Sequence, residues 1–157
     1  MKTLFISALL IFSIYASAQT ITQNNLCFDW VLKKGWFGEE YIVFEKFDSA
    51  KYVTQNSYNI VDVFKFTEKG IFLKKTYDPK KYIFCGNGML YFASSTWKLS
   101  GNKIYFDLKG GHFDEDKFHY EMIYIVKKIS GDSLELKRKK VISQSVRPEH
   151  EMPQNTR

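Results

Sequence analysis

From Asn59 to Lys140 the chain repeats one rhythm: a short run alternating apolar and polar side chains, then a connection rich in glycine, serine or asparagine. Such a rhythm suits half-buried strands and leaves no room for a long amphipathic helix. Ile60 to Thr67 and Gly70 to Tyr77 flank Glu68-Lys69-Gly70, a connection suited to a hairpin. Asp78-Pro79 is the next turn, and Lys81 to Cys85 is a strand stopped by Gly86-Asn87-Gly88, where glycine permits positive φ. Met89 to Ala93 and Thr96 to Leu99 are broken by Ser94-Ser95, and Ser100-Gly101-Asn102 leads into Lys103 to Leu108. The loop Lys109 to Lys117 precedes the longest strand, Phe118 to Ile129, which Ser130-Gly131-Asp132 joins to Ser133 to Lys140. The pattern predicts an all-β fold: an antiparallel up-and-down meander of about eight to ten strands closing into a barrel, with a sandwich as the alternative. Closure removes the sheet edges that such a chain must otherwise protect.

The N-terminal third extends this reading. Leu26, Phe28, Trp30 and Leu32 alternate with Cys27, Asp29, Val31 and Lys33, a strand with one buried face. Gly35 and Gly38 bracket Trp36-Phe37 in a turn; Tyr41 to Phe47 fits a strand or a short helix, and Asp48 to Ser57 reads as a loop. Ahead of these, Lys2, an apolar run from Leu4 to Tyr15 and Ala16-Ser17-Ala18 follow the three-part plan of a cleavable export signal. A membrane anchor needs about 20 apolar residues, and Ser7 and Ser13 interrupt this run. The expected organisation is a signal peptide over 1–18, a flexible lead over 19–25, one barrel domain over 26–142 and a disordered tail over 143–157. The expected location is secreted or periplasmic, with nothing spanning a membrane after cleavage.

Export bears on the cysteines. Cys27 and Cys85 are the only two in the chain, and an oxidising compartment favours bridging them, two buried thiols being the alternative. A bridge would close a long loop, worth about 4 kcal/mol in the chain-entropy picture. The formal net charge of +6, which includes Lys2, is spread over scattered lysine pairs and one run, Lys137-Arg138-Lys139-Lys140. That distribution reads as solvated strand faces and loop ends, so no nucleic-acid partner is expected.

No Gly-x-Ser-x-Gly, Walker loop, His-Glu-x-x-His or C-x-x-C is present, and catalysis is not expected. His112-Phe113-Asp114-Glu115-Asp116, with His119 beyond, brings together metal-binding residue types, but adjacent residues seldom converge on one ion without a dedicated loop. It reads as a solvated loop tip, and no metal or cofactor is expected. Aromatic residues make up 17% of the chain and are the better candidates. Trp30, Phe64, Phe66, Tyr91, Trp97, Tyr105, Tyr120 and Tyr124 lie on strands whose faces a barrel can turn inwards. They then either line a cavity for one small apolar ligand or fill the core themselves. A buried tyrosine hydroxyl or indole N–H needs a partner, which a ligand or trapped water can supply.

From Asp62 to Lys140 the chain resembles the small secreted lipocalin-like domains of the Bacteroidetes. The matching residues are Trp30 in the first strand, Phe64-Lys65-Phe66-Thr67-Glu68-Lys69-Gly70, Trp97-Lys98-Leu99-Ser100-Gly101-Asn102-Lys103-Ile104, Tyr124-Ile125, and Ile129-Ser130-Gly131-Asp132-Ser133-Leu134-Glu135-Leu136. True lipocalins carry glycine two places before the tryptophan, where this chain has Phe28. The resemblance implies a barrel or half-barrel and does not specify a ligand.

Two functions are consistent with these observations. One is an exported, non-enzymatic barrel holding a small apolar or amphipathic molecule. The other is a protein-interaction module, such as an inhibitor of an envelope or host enzyme. Tyr82-Ile83-Phe84-Cys85-Gly86 is faintly similar to a segment of the bacterial C-type lysozyme inhibitors. Their inhibitory loop, however, sets lysine directly before tyrosine, whereas Ile104 separates Lys103 from Tyr105 here.

Overall fold

The computed structural model describes residues 21–53, 60–79, 90–112 and 117–146. The proposed signal, Cys85, the Gly86-Asn87-Gly88 turn and the acidic loop 113–116 lie outside them. A short 3-10 turn, Gln23–Asn25, leads into β1 (Asp29–Lys34) and β2 (Tyr41–Lys46). A one-turn helix, α1 (Ser49–Val53), precedes β3 (Val61–Phe66) and β4 (Phe72–Tyr77). Then follow β5 (Leu90–Phe92), β6 (Thr96–Ser100), β7 (Lys103–His112), β8 (Lys117–Ile129) and β9 (Ser133–Val146). The expected all-β class is observed: the strands form one antiparallel sheet, nearly closed into a barrel.

The strand order is β4-β3-β1-β2-β9-β8-β7-β5, with β6 also paired to β7. The sheet departs from a strictly sequential meander at one place. The connection carrying α1 passes β1, so that β3 pairs with the far edge of β1. Since β8 occupies one edge of β7, β5 and β6 share the other, pairing with its end and its beginning respectively. They behave as one broken strand. Closure runs between β4 and β6: Ile71 bridges Thr96, the Phe72 N–H donates to the Ser95 carbonyl at 3.0 Å, and the Trp97 N–H donates to the Gly70 carbonyl at 2.8 Å.

Alternation puts one apolar set inside. Trp30, Ile42, Phe44, Phe64, Phe66, Phe72, Trp97, Ile104, Phe106, Leu108, Met122, Tyr124, Leu134 and Leu136 are all buried in a single cluster. The buried indoles find backbone partners: Trp30 Nε1 donates to the Leu26 carbonyl at 2.9 Å and Trp97 Nε1 to the Thr67 carbonyl at 3.1 Å. The predicted hairpin turns are present, with Gly70 at φ +75° and Gly101 at φ +59°.

The boundaries move where side-chain patterning is a poor guide. The lead expected to be flexible is partly ordered: Asn25 Oδ1 accepts from the Thr22 N–H at 2.9 Å, and Ile21 packs on the core. The strand predicted to start near Leu26 begins at Asp29; Leu26 is buried by the 3-10 turn, while Phe28 is exposed. Tyr41–Lys46 is a strand, and Ser49–Val53 forms a helical turn that starts where Asp48 Oδ1 accepts from the Ala50 N–H at 3.0 Å. β7 continues through Gly110-Gly111 into the predicted loop, and β9 continues past 142 to Val146. Ladder pairing of Ser143 with Glu121 and Ser145 with His119 needs no apolar side chain on β9. The expectation of a Cys27 bridge is not met. Cys27 is a free, half-buried thiol beside Glu68 and Lys65, with burial and then the Glu68 charge raising its pKa, while Cys85 lies outside the described residues.

Candidate functional site

The barrel interior is packed with rings, and the residue at its centre comes from a loop. Phe37, in the β1–β2 connection, is 4% exposed. Its ring centroid lies 5.6 Å from that of Phe72, 5.7 Å from those of Phe64 and Phe92, 5.8 Å from that of Phe106 and 6.1 Å from that of Phe44. Most of these contacts are edge-to-face, the arrangement that sets a positive ring edge against a negative ring face.

Glycines at both ends let the connection turn inwards. Gly35 and Gly38 have φ of +77° and +97°, and a Cβ on Gly35 would collide with the Tyr41 carbonyl. The loop is then tied to β9, the ladder neighbour of β2, and to β8 beyond it. The Gly38 N–H donates to Tyr124 Oη at 3.0 Å, and that hydroxyl donates to the Glu39 carbonyl at 3.0 Å. Arg138 Nη1 donates to the Gly38 carbonyl, and the Arg138 N–H donates to the Glu40 carbonyl at 2.7 Å. Burial pushes the Tyr124 hydroxyl above its ordinary pKa, against the opposing pull of the Gly38 N–H and Arg138.

The inner wall also carries a polar group. Lys74 faces Phe64 across the β3–β4 ladder, so it points inward, and its side chain is 5% exposed. Its ammonium lies 2.7 Å from Asp62 Oδ1, to which the Thr76 hydroxyl donates at 3.3 Å. Such a pair suits a barrel wall because a buried charge needs a partner.

Of the residues expected to face a ligand, Trp30, Phe64, Phe66, Trp97 and Tyr124 are buried in the same core cluster as Phe37. Tyr120 is half-buried and stacked on Phe118 with ring centroids 5.2 Å apart; Tyr91, half-buried opposite Gly111, is a correction, since its neighbour Phe92 takes the inward position against Phe37 and Phe64. Tyr105 is a correction: it lies on the outer face, 37% exposed, because its neighbours Ile104 and Phe106 take the inward positions. Sequence reasoning missed Phe37. The available signal was the placement of two large aromatics between glycines, an arrangement too apolar for a solvated turn.

Outside the barrel, a groove of about 200 Å³ is lined by Thr96, Lys98, Tyr105, Asp107, Glu121 and Ile142, among others. Beside it His119 Nε2 lies 2.7 Å from Asp107 Oδ1 and 3.7 Å from Glu121 Oε1. Asp107 and Glu121 are directly opposed on β7 and β8, and His119 is two residues before Glu121.

Fold and interior together define an aromatic-cored, nearly closed antiparallel β-barrel with a loop-borne stopper. No protein-family model, curated protein or solved structure matches the chain.

Proposed function

We propose that this is an exported, non-enzymatic, lipocalin-like binding protein that takes up a small apolar or amphipathic molecule in the space Phe37 fills. One observation carries the reading. The other phenylalanine rings around that space sit on strands and are fixed by ladders, whereas Phe37, with Trp36 beside it, hangs from a glycine-hinged loop held by hydrogen bonds to Tyr124 and Arg138. Withdrawing it leaves the sheet intact and exposes a pocket walled by Phe44, Phe64, Phe72, Phe92 and Phe106. Lys74, Asp62 and Thr76 give that wall a polar point suited to the head of an amphipathic molecule.

Displacing the stopper lowers apparent affinity by the fraction of molecules that are open, so removing the ring should raise it. Dodecanoate is a suitable probe, followed through the change in tryptophan fluorescence, the Trp36 ring lying 5.6 Å from Phe37. Saturable binding to the wild type, tightened about tenfold or more in Phe37→Ala, is the expected result. Binding to neither protein at about 100 μM overturns the proposal. Protein recovered from its own host should begin at Gln19 and carry a ligand by native mass spectrometry.

A further inference from the structure

We propose that Asp107, His119 and Glu121 form a zinc-binding site on the outer wall of the barrel, independent of whatever the interior holds. The donor set is one imidazole nitrogen and two carboxylate oxygens, with all three atoms within 4.8 Å of one another. Zinc bonds of about 2.0 to 2.2 Å in tetrahedral geometry place neighbouring donors roughly 3.4 Å apart. The present separations of 2.7 Å and 3.7 Å from His119 Nε2 fall on either side of that spacing. Small side-chain rotations suffice, and the backbone need not move.

The surroundings favour such a site. All three residues stand on β7 and β8, consecutive long strands paired with each other from Lys103 to Gly111 on β7. Their side chains are about 35 to 40% exposed, open enough for an ion to enter and lose part of its hydration. Lys109 Nζ engages the other oxygen of Asp107 at 3.2 Å, which orients the carboxylate and leaves Oδ1 directed to His119. Two carboxylates and a neutral imidazole balance the charge of a divalent ion. Calcium is a poor match, since it takes six to eight oxygens and this site offers a nitrogen.

The groove adjoins the site. Asp107 and Glu121 also line it, beside Tyr105, Thr96, Lys98 and Ile142. A three-ligand zinc site keeps its fourth position for water or another ligand. Here that position adjoins a cleft with an aromatic, a hydroxyl and an ammonium along its walls.

The test is titration of the full chain, freed of metal by chelation, with Zn²⁺ by calorimetry and with Co²⁺ by its visible absorption. The site predicts one equivalent bound with micromolar affinity and the absorption of tetrahedral cobalt, with no matching response to Ca²⁺. His119→Ala and Glu121→Gln should each weaken zinc binding at least about tenfold. These residues are half-exposed, and an unchanged thermal melt without metal confirms that each variant is folded. In the wild type, zinc should move the His119 imidazole resonances, a readout that does not depend on any variant. No binding below about 100 μM overturns the proposal. So does zinc binding that survives His119→Ala and is lost in His112→Ala or His150→Ala.

Discussion

Phe37 shows how much one loop residue can contribute. Its ring touches five phenylalanines on five different strands, so Phe37→Ala would leave a hole that ladder-bound neighbours cannot fill by collapsing. Large-to-small changes of this kind cost about 3 to 5 kcal/mol, a large share of the stability of a small domain. Urea unfolding should show that loss, and a small aromatic solute such as benzene should recover part of it by filling the cavity. Tyr124→Phe tests the tether instead. It strands the Gly38 N–H and the Glu39 carbonyl, at a cost of about 1 to 3 kcal/mol. It should also change the alkaline limb. Because burial raises the Tyr124 pKa, the folded state resists ionisation that the unfolded chain undergoes near its ordinary value of 10.0. Stability is therefore full below that value and falls as pH rises through it towards the folded pKa. Urea midpoints from about pH 9 to about pH 11 should fall less steeply in Tyr124→Phe than in the wild type. Gly35 and Gly38 were legible as a turn, but the direction of Phe37 was not: outside a strand no period tells a side chain which way to point.

At the scale of elements, the instructive pair is β5 and β6. The sequence break at Ser94-Ser95 was legible, and its structural repair was not. Ser95 is fully buried, and its hydroxyl donates to the Lys109 carbonyl at 3.0 Å while accepting from the Lys109 N–H at 2.9 Å. With the Ala93 N–H, which donates to the same carbonyl at 2.6 Å, this side chain carries the pairing across the break in the strand. Ser95→Ala leaves the Lys109 N–H without its partner, while the Lys109 carbonyl keeps the Ala93 N–H at 2.6 Å, and should lower stability by about 1 to 3 kcal/mol, measured by urea unfolding. Gly110 supports the same edge. A Cβ there would strike the Tyr91 carbonyl and the Phe118 ring, so Gly110→Ala should detach β5 while leaving β6 in place. Amide exchange should then accelerate at residues 90–92 and 110–112 and remain slow at 96–100. Gly110-Gly111 reads as a loop because glycine normally marks one; here the missing side chain makes room for a ring from the next strand.

The whole molecule is most secure where long strands pair on both edges and least secure at the seam. β8 is paired along its length by β7 and β9, whereas β4 meets β6 only near Ile71 and Phe72. Native-state hydrogen exchange should accordingly be slowest in β8 and fastest in the outer half of β4 and in β5. Gly70→Ala acts on the seam directly. Its φ of +75° disfavours a side chain, and the new Cβ would lie 3.0 Å from the Trp97 carbonyl, whose neighbouring N–H bonds Gly70. A loss of about 1 to 2 kcal/mol is expected from urea unfolding, with faster exchange at 95–97 as its local sign.

The sequence by itself determined the strand class, the hairpin turns at Gly70 and Gly101, and most of the buried aromatic face. These follow from local physics: a period of two sets which side chains share a face, and glycine sets where the chain can reverse. Tertiary structure decided the passage of β3 beyond β1, the burial of Phe37, the exposure of Tyr105, and the meeting of Asp107 with His119 and Glu121. Each of these depends on which strands become neighbours and in what register. That choice belongs to the closing of the whole sheet, which no single segment encodes.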